Sequence, residues 1–205
     1  MLRIIVLVGA VVCLSLVLPV GGSAQDDLLV AAQAPGPELC TLEPRTIDEL
    51  QVLVENRTRP VAPMASPTAV PDPFEMPEGF SLFEDERIEV EKDLVRAVSC
   101  FNTGDPLKVF ATYTDAYVLH LIDELGGLTD EVEVGLTTVR PLEPSEYIQI
   151  INIDEAMLLN DGRIAVVVAG DDPANAIPPA SRLFYLKEVL PGRWLIDEVV
   201  EINTG

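Results

Sequence analysis

Cations are scarce in this chain: 13 lysines and arginines stand against 34 aspartates and glutamates, a formal charge of -21. A surface this acidic repels nucleic-acid phosphates and anionic lipid, which argues against both as partners. The anions are interspersed with cations, as on an ordinary solvated face, so no dedicated cation-binding surface is indicated. One histidine, His120, with at most two cysteines, Cys40 and Cys100, outside the apolar N-terminal run cannot make a conventional zinc site. No serine elbow, glycine-rich phosphate loop, dinucleotide fingerprint or metalloprotease helix occurs. Asp154-Glu155 and Asp171-Asp172 lack the spacing of an EF-hand loop. No metal and no cofactor is therefore expected.

What is present begins with an export leader. Arg3 precedes an apolar run from Ile4 to Val20, interrupted at Gly9, Cys13, Ser15 and Pro19, and Gly21, Gly22, Ser23 and Ala24 close it. Charged, hydrophobic and small-residue regions in that order define a secretory signal, with cleavage expected after Ala24. The expected location is secreted, or extracytoplasmic in a bacterium. The rival is an uncleaved N-terminal membrane anchor, disfavoured because the run is short for a span and ends in Pro19 and glycines. One cation and no anion leave with residues 1–24, so the charge moves from -21 to -22. Cys13 leaves as well. Cys40 and Cys100 remain, and an even pair in an oxidising compartment is expected to close a disulfide, the alternative being two unpaired, buried thiols.

Composition divides the rest. Residues 25–55 carry one helix, from Ile47 to about Glu55, opened by the Thr46/Glu49 capping box and striped by Ile47, Leu50, Leu53 and Val54. Residues 56–80 contain Pro60, Pro63, Pro67, Pro71, Pro73 and Pro77 without hydrophobic periodicity, the composition of a semi-extended linker. Residues 81–205 have the size of one domain. There Ser81 and Glu84 suggest a second capping box, before a helix with Ile88, Val95, Val98 and Phe101 on one stripe. Asn102-Thr103-Gly104 stops that helix, and Asp105-Pro106 starts a short one running through Phe110 to Tyr113. A third is expected from Asp115 to Glu124, ending at Gly126-Gly127. The region from Leu128 to Pro144 gives no clear pattern.

Strands follow: Tyr147 to Ile153, Arg163 to Ala169, Leu183 to Leu190 and Trp194 to Ile202. Asn160-Asp161-Gly162 and Pro191-Gly192 supply tight turns between neighbours. Helices first and a meander afterwards imply an α+β domain with helices packed on one face of a curved antiparallel sheet.

The run from Val95 to Asp105 and its continuation to Asp115, with a Gly104-Asp105 step and a Tyr113-Thr114-Asp115 corner, resembles the nuclear transport factor 2-like superfamily. So does the closing strand Gly192-Arg193-Trp194-Leu195-Ile196. That group includes ketosteroid isomerases and SnoaL-like cyclases, and the likeness covers roughly residues 84 to 202. It implies a cone-shaped barrel in which sheet and helices enclose a pocket, often dimeric through the outer face of the sheet.

Candidate pocket-lining residues are Tyr113, Asp115, Tyr117, His120, Tyr185, Trp194 and Asp197. Ketosteroid-isomerase-type enzymes place an Asp base and phenol or carboxylic-acid donors in a dry pocket. These residues supply the types, yet none matches a catalytic position one by one, so none is assigned as catalytic. Each also has a structural explanation: a helix start for Asp115, a core anchor for Trp194, a half-buried histidine for His120. Three functions stay open. One is a non-catalytic module binding a small apolar molecule or a protein partner. The second is an isomerase, dehydratase or cyclase. The third is a structural homodimer with a filled pocket.

Overall fold

The computed structural model describes residues 34–57, 74–173 and 177–202. The leader, its cleavage point and most of the Pro-rich stretch lie outside the described residues.

Capping chemistry sets the helix boundaries. In α1 (Ile47–Glu55) the Thr46 hydroxyl accepts from the Glu49 amide, and the Glu49 carboxylate accepts from the Thr46 amide. Helix α2 (Glu84–Asn102) starts two residues later than expected. Ser81 is held in a two-residue strand, β1 (Phe80–Ser81), paired with a neighbouring strand through Met157, so it cannot cap. Phe83 takes the boundary position instead, and its amide donates to Glu86 at 3.1 Å. Asp105 caps α3 (Pro106–Phe110) by accepting from the amides of Leu107 and Lys108. That helix ends at Phe110, short of Tyr113. Thr114 caps α4 (Asp115–Glu124) and Thr129 caps α5 (Asp130–Thr137). Between α2 and α3, Gly104 has φ +66°, and a Cβ there would meet the Arg140 carbonyl oxygen at 1.7 Å, so only glycine fits.

The sheet is an antiparallel meander, β1-β2-β3-β4-β5, with β2 (Gln149–Leu158), β3 (Ile164–Asp172), β4 (Ile177–Leu190) and β5 (Arg193–Ile202). The β2–β3 turn closes with Leu159 and Gly162 amides donating to the Arg163 and Leu159 carbonyls. Register shifts fall at Ile150/Asn152 and Ile153/Ala156 in β2. Another leaves Asp197 of β5 without an opposite residue on β4.

Period-two alternation assigns the faces. Ile164, Val166, Val168, Phe184, Leu186, Ile196 and Val199 point to the helices. Ala165, Val167, Leu183, Val200 and Ile202 point away and form a second cluster with Phe74 and Met76. All five residues from Ile164 to Val168 are consequently buried, because both faces of β3 are covered.

The N-terminal segment is bound to α2 at several points. Cys40 and Cys100 form a disulfide, with Cα atoms 4.7 Å apart. The Ser99 hydroxyl donates to the Gly36 carbonyl. The buried Asn102 amide donates to Pro35 O at 2.8 Å and to Ile148 O at 3.1 Å, while its oxygen accepts from Ile148 N. Arg45 spreads its fork over the Phe110 and Tyr113 carbonyls and the Asp115 carboxylate. The Pro-rich stretch also ends in packing: Phe74 and Met76 lie on the outer cluster before β1 begins.

Candidate functional site

Between α2 and the inner face of the sheet lies a cavity of about 310 Å³. Leu94, Ala97, Val98 and Phe101 of α2 form one wall. Ile148, Ile150, Val168 and Phe184 form the opposite one, and Ile196 and Val199 of β5 close a side. Ten of the fourteen lining residues are apolar; the others are Tyr113, Tyr117, Asp172 and Arg182. On α2 the small Ala97 lines the void, while Ile164 and Leu186 belong to a solid layer of the same core with Val90, Val118 and Ile122, all of them 1 % exposed or less.

Aromatic packing positions the two phenols. Tyr113 stands edge-on to Tyr117, with ring centroids 5.1 Å apart and planes at 90°, and edge-on to Phe101 at 6.1 Å. Tyr113 follows α3, where its backbone forms a parallel bridge with Ile196, flanked by bonds from the Thr114 amide to Ile196 O and from the Ile196 amide to Thr112 O. Burial pushes the Tyr113 phenol far above its ordinary range, with Tyr117 adding to the effect. Burial likewise pushes Tyr117 up to about 12, with Glu124 and Glu198 adding, while a backbone hydrogen bond from Val199 works the other way. Both phenols are therefore neutral at physiological pH: hydrogen-bonding groups, not bases.

The other sequence candidates lie elsewhere. Asp115 pairs with Arg45 at 2.8 Å on the surface. His120 stacks on Tyr117, on a ring that itself lines the cavity, and its Nε2 lies 3.3 Å from Glu124. Trp194 packs against the core, and its amide donates to the buried Asp93 carboxylate at 2.7 Å, joining β5 to α2. Asp197 accepts from the Thr114 hydroxyl at 2.7 Å, and Arg163 lies 3.5 Å away. Tyr185 sits on the outer face under the Arg163 guanidinium, 4.7 Å from its ring centroid, and burial raises its pKa. Its neighbour Phe184 takes the inward position. Arg182 and Asp172 escaped the sequence reading, although Arg182 shares its strand face with Phe184 under the same alternation.

Chemically, the arrangement offers an apolar container with two neutral phenols and, on β3 and β4, one carboxylate and one guanidinium. Asp115, Asp197 and His120 do not converge on it. Among the described residues, no group of three or more His, Cys, Asp or Glu side chains is placed to hold a metal ion, and no helix is long and apolar enough to cross a membrane. Comparison of the chain with protein-family models, curated proteins and solved structures finds no match.

Proposed function

We propose that this chain is a secreted, non-catalytic binding module with a cone-like fold similar to the nuclear transport factor 2-like superfamily, holding a small apolar ligand in the cavity beneath α2. The observation that carries the proposal is the cavity itself: about 310 Å³, walled chiefly by apolar side chains, lies within the range of small-molecule sites. An enzyme of isomerase or cyclase type needs a base within reach of the substrate. Asp115, Asp197 and His120 are instead engaged by Arg45, Thr114 and Glu124 away from the cavity, which leaves Asp172 as the one carboxylate among its described lining residues and no second acid–base group beside it except the two neutral phenols. The filled-pocket dimer is disfavoured by the void, and by Phe74 and Met76 occupying the sheet face through which such a dimer would form. Secretion is supported by the leader and by the Cys40–Cys100 disulfide, a bond that persists in oxidising compartments.

The test is fluorescence of a neutral naphthylamine dye, which brightens in apolar surroundings. The wild-type protein is expected to enhance it saturably, and Ala97→Trp, which fills the void, to abolish the enhancement while remaining folded by circular dichroism. Undiminished enhancement by the folded variant contradicts the assignment.

A further inference from the structure

We infer that the ligand is an amphiphile with a single anionic head, a carboxylate, which pairs with Arg182 while its apolar body fills the space beneath α2. This rests on the cavity being a ligand site. Among the described lining residues Arg182 is the only cation, and it stands on the inner face of β4 opposite Val168, next along that face from Phe184. A guanidinium on an apolar wall has lost much of its water, and its planar fork matches a carboxylate through two parallel hydrogen bonds. The ion pair it makes to Glu201 is long, 3.9 Å, and Glu201 is 80 % exposed, so water and salt screen that contact and an incoming carboxylate displaces it readily. In a chain of charge -21, a cation on this wall is a specific feature. The surrounding anions act over a distance that physiological salt screens to about 8 Å, which leaves recognition to the local contact.

The same wall limits the head to one charge. Asp172, at the end of β3, also lines the cavity, so the described wall carries one acid beside its one base and favours a monoanion over a dianion. The phenols of Tyr113 and Tyr117, held neutral by burial, stand on the helical side as partners for an uncharged oxygen without repelling an apolar chain.

The experiment titrates decanoate and decan-1-ol, which share a chain and differ in head charge, into the protein purified from a secreting host, and repeats both with Arg182→Met and Arg182→Lys. Decanoate is expected to bind the wild type at least about tenfold more tightly than decanol. Arg182→Met should reduce that ratio to about one by weakening decanoate alone, with Arg182→Lys between. Equal affinities in the wild type, or a preference that survives Arg182→Met, overturn the anionic head and leave the apolar site standing. Binding of neither ligand removes the site itself, and the wild-type comparison decides even if a variant does not fold.

Discussion

Val167 and Val168 are neighbours on β3 and face opposite ways. Val167 belongs to the small outer cluster with Phe74 and Met76, whereas Val168 borders an open space of about 310 Å³ under α2. One strand is thus sealed by the chain's own residues on one face and left with room on the other. Packing to native density is the default for a protein interior, and an unfilled apolar volume forfeits dispersion contacts along its lining. A fold that closes its outer face with a short segment, yet leaves the inner one hollow beside Ala97, has the void where a ligand would restore those contacts.

The largest expected effect is on the support of the roof over that void. Replacing Cys40 and Cys100 by Ser frees a cross-link spanning 60 residues, which the chain-entropy model values at about 4 kcal/mol. Urea unfolding should show a loss of that order. A loss below about 1 kcal/mol would mean that Ser99, Asn102 and Arg45 hold the segment unaided. Next, Leu186→Ala in the solid layer should cost about 3 kcal/mol, and Val168→Ala beside the void about 1 kcal/mol, because a residue already facing space gives up fewer contacts. Equal costs would erase the distinction between the two parts of the inner face. On the outer face, Phe74→Ala should cost about 2 kcal/mol and leave dye binding unchanged; weakened binding would show that the faces are coupled.

The smallest effect is a matter of pH. An unfolded tyrosine titrates near 10, and burial holds Tyr117 at about 12. Because the folded value is the higher one, its contribution to stability is complete below about pH 10 and is lost as pH rises towards 12. Tyr117→Phe should flatten the fall in stability over that interval, and alkaline unfolding curves of equal slope would contradict the burial of the phenol.

Much of the fold was legible because short-range chemistry dictates it. Thr46 with Glu49, Asp105 with Pro106, and Gly126-Gly127 mark helix ends that tertiary contacts did not move, and Asn160-Asp161-Gly162 sits at the β2–β3 turn. The misreading of Ser81 came from a long-range pairing: Met157, some 76 positions away in number, draws it into β1. Helix α5 was missed because its apolar residues are few and Val134 is exposed, so no stripe stands out. The site was less legible than the fold. Tyr113 and Tyr117 line the cavity, whereas Tyr185 lies on the outer face and its neighbour Phe184 on the inner one, and parity on a strand follows only once the inward face is known. Arg182 carried no motif at all; only the register with Val168 brings it to the cavity.

The hollow inner face is tested most directly by a crystal structure of the protein under xenon pressure, since xenon enters dry apolar cavities and marks them with strong density. A xenon peak bounded by Phe101, Tyr113 and Phe184 is expected. A space closed by those side chains, with no xenon between them, would contradict it.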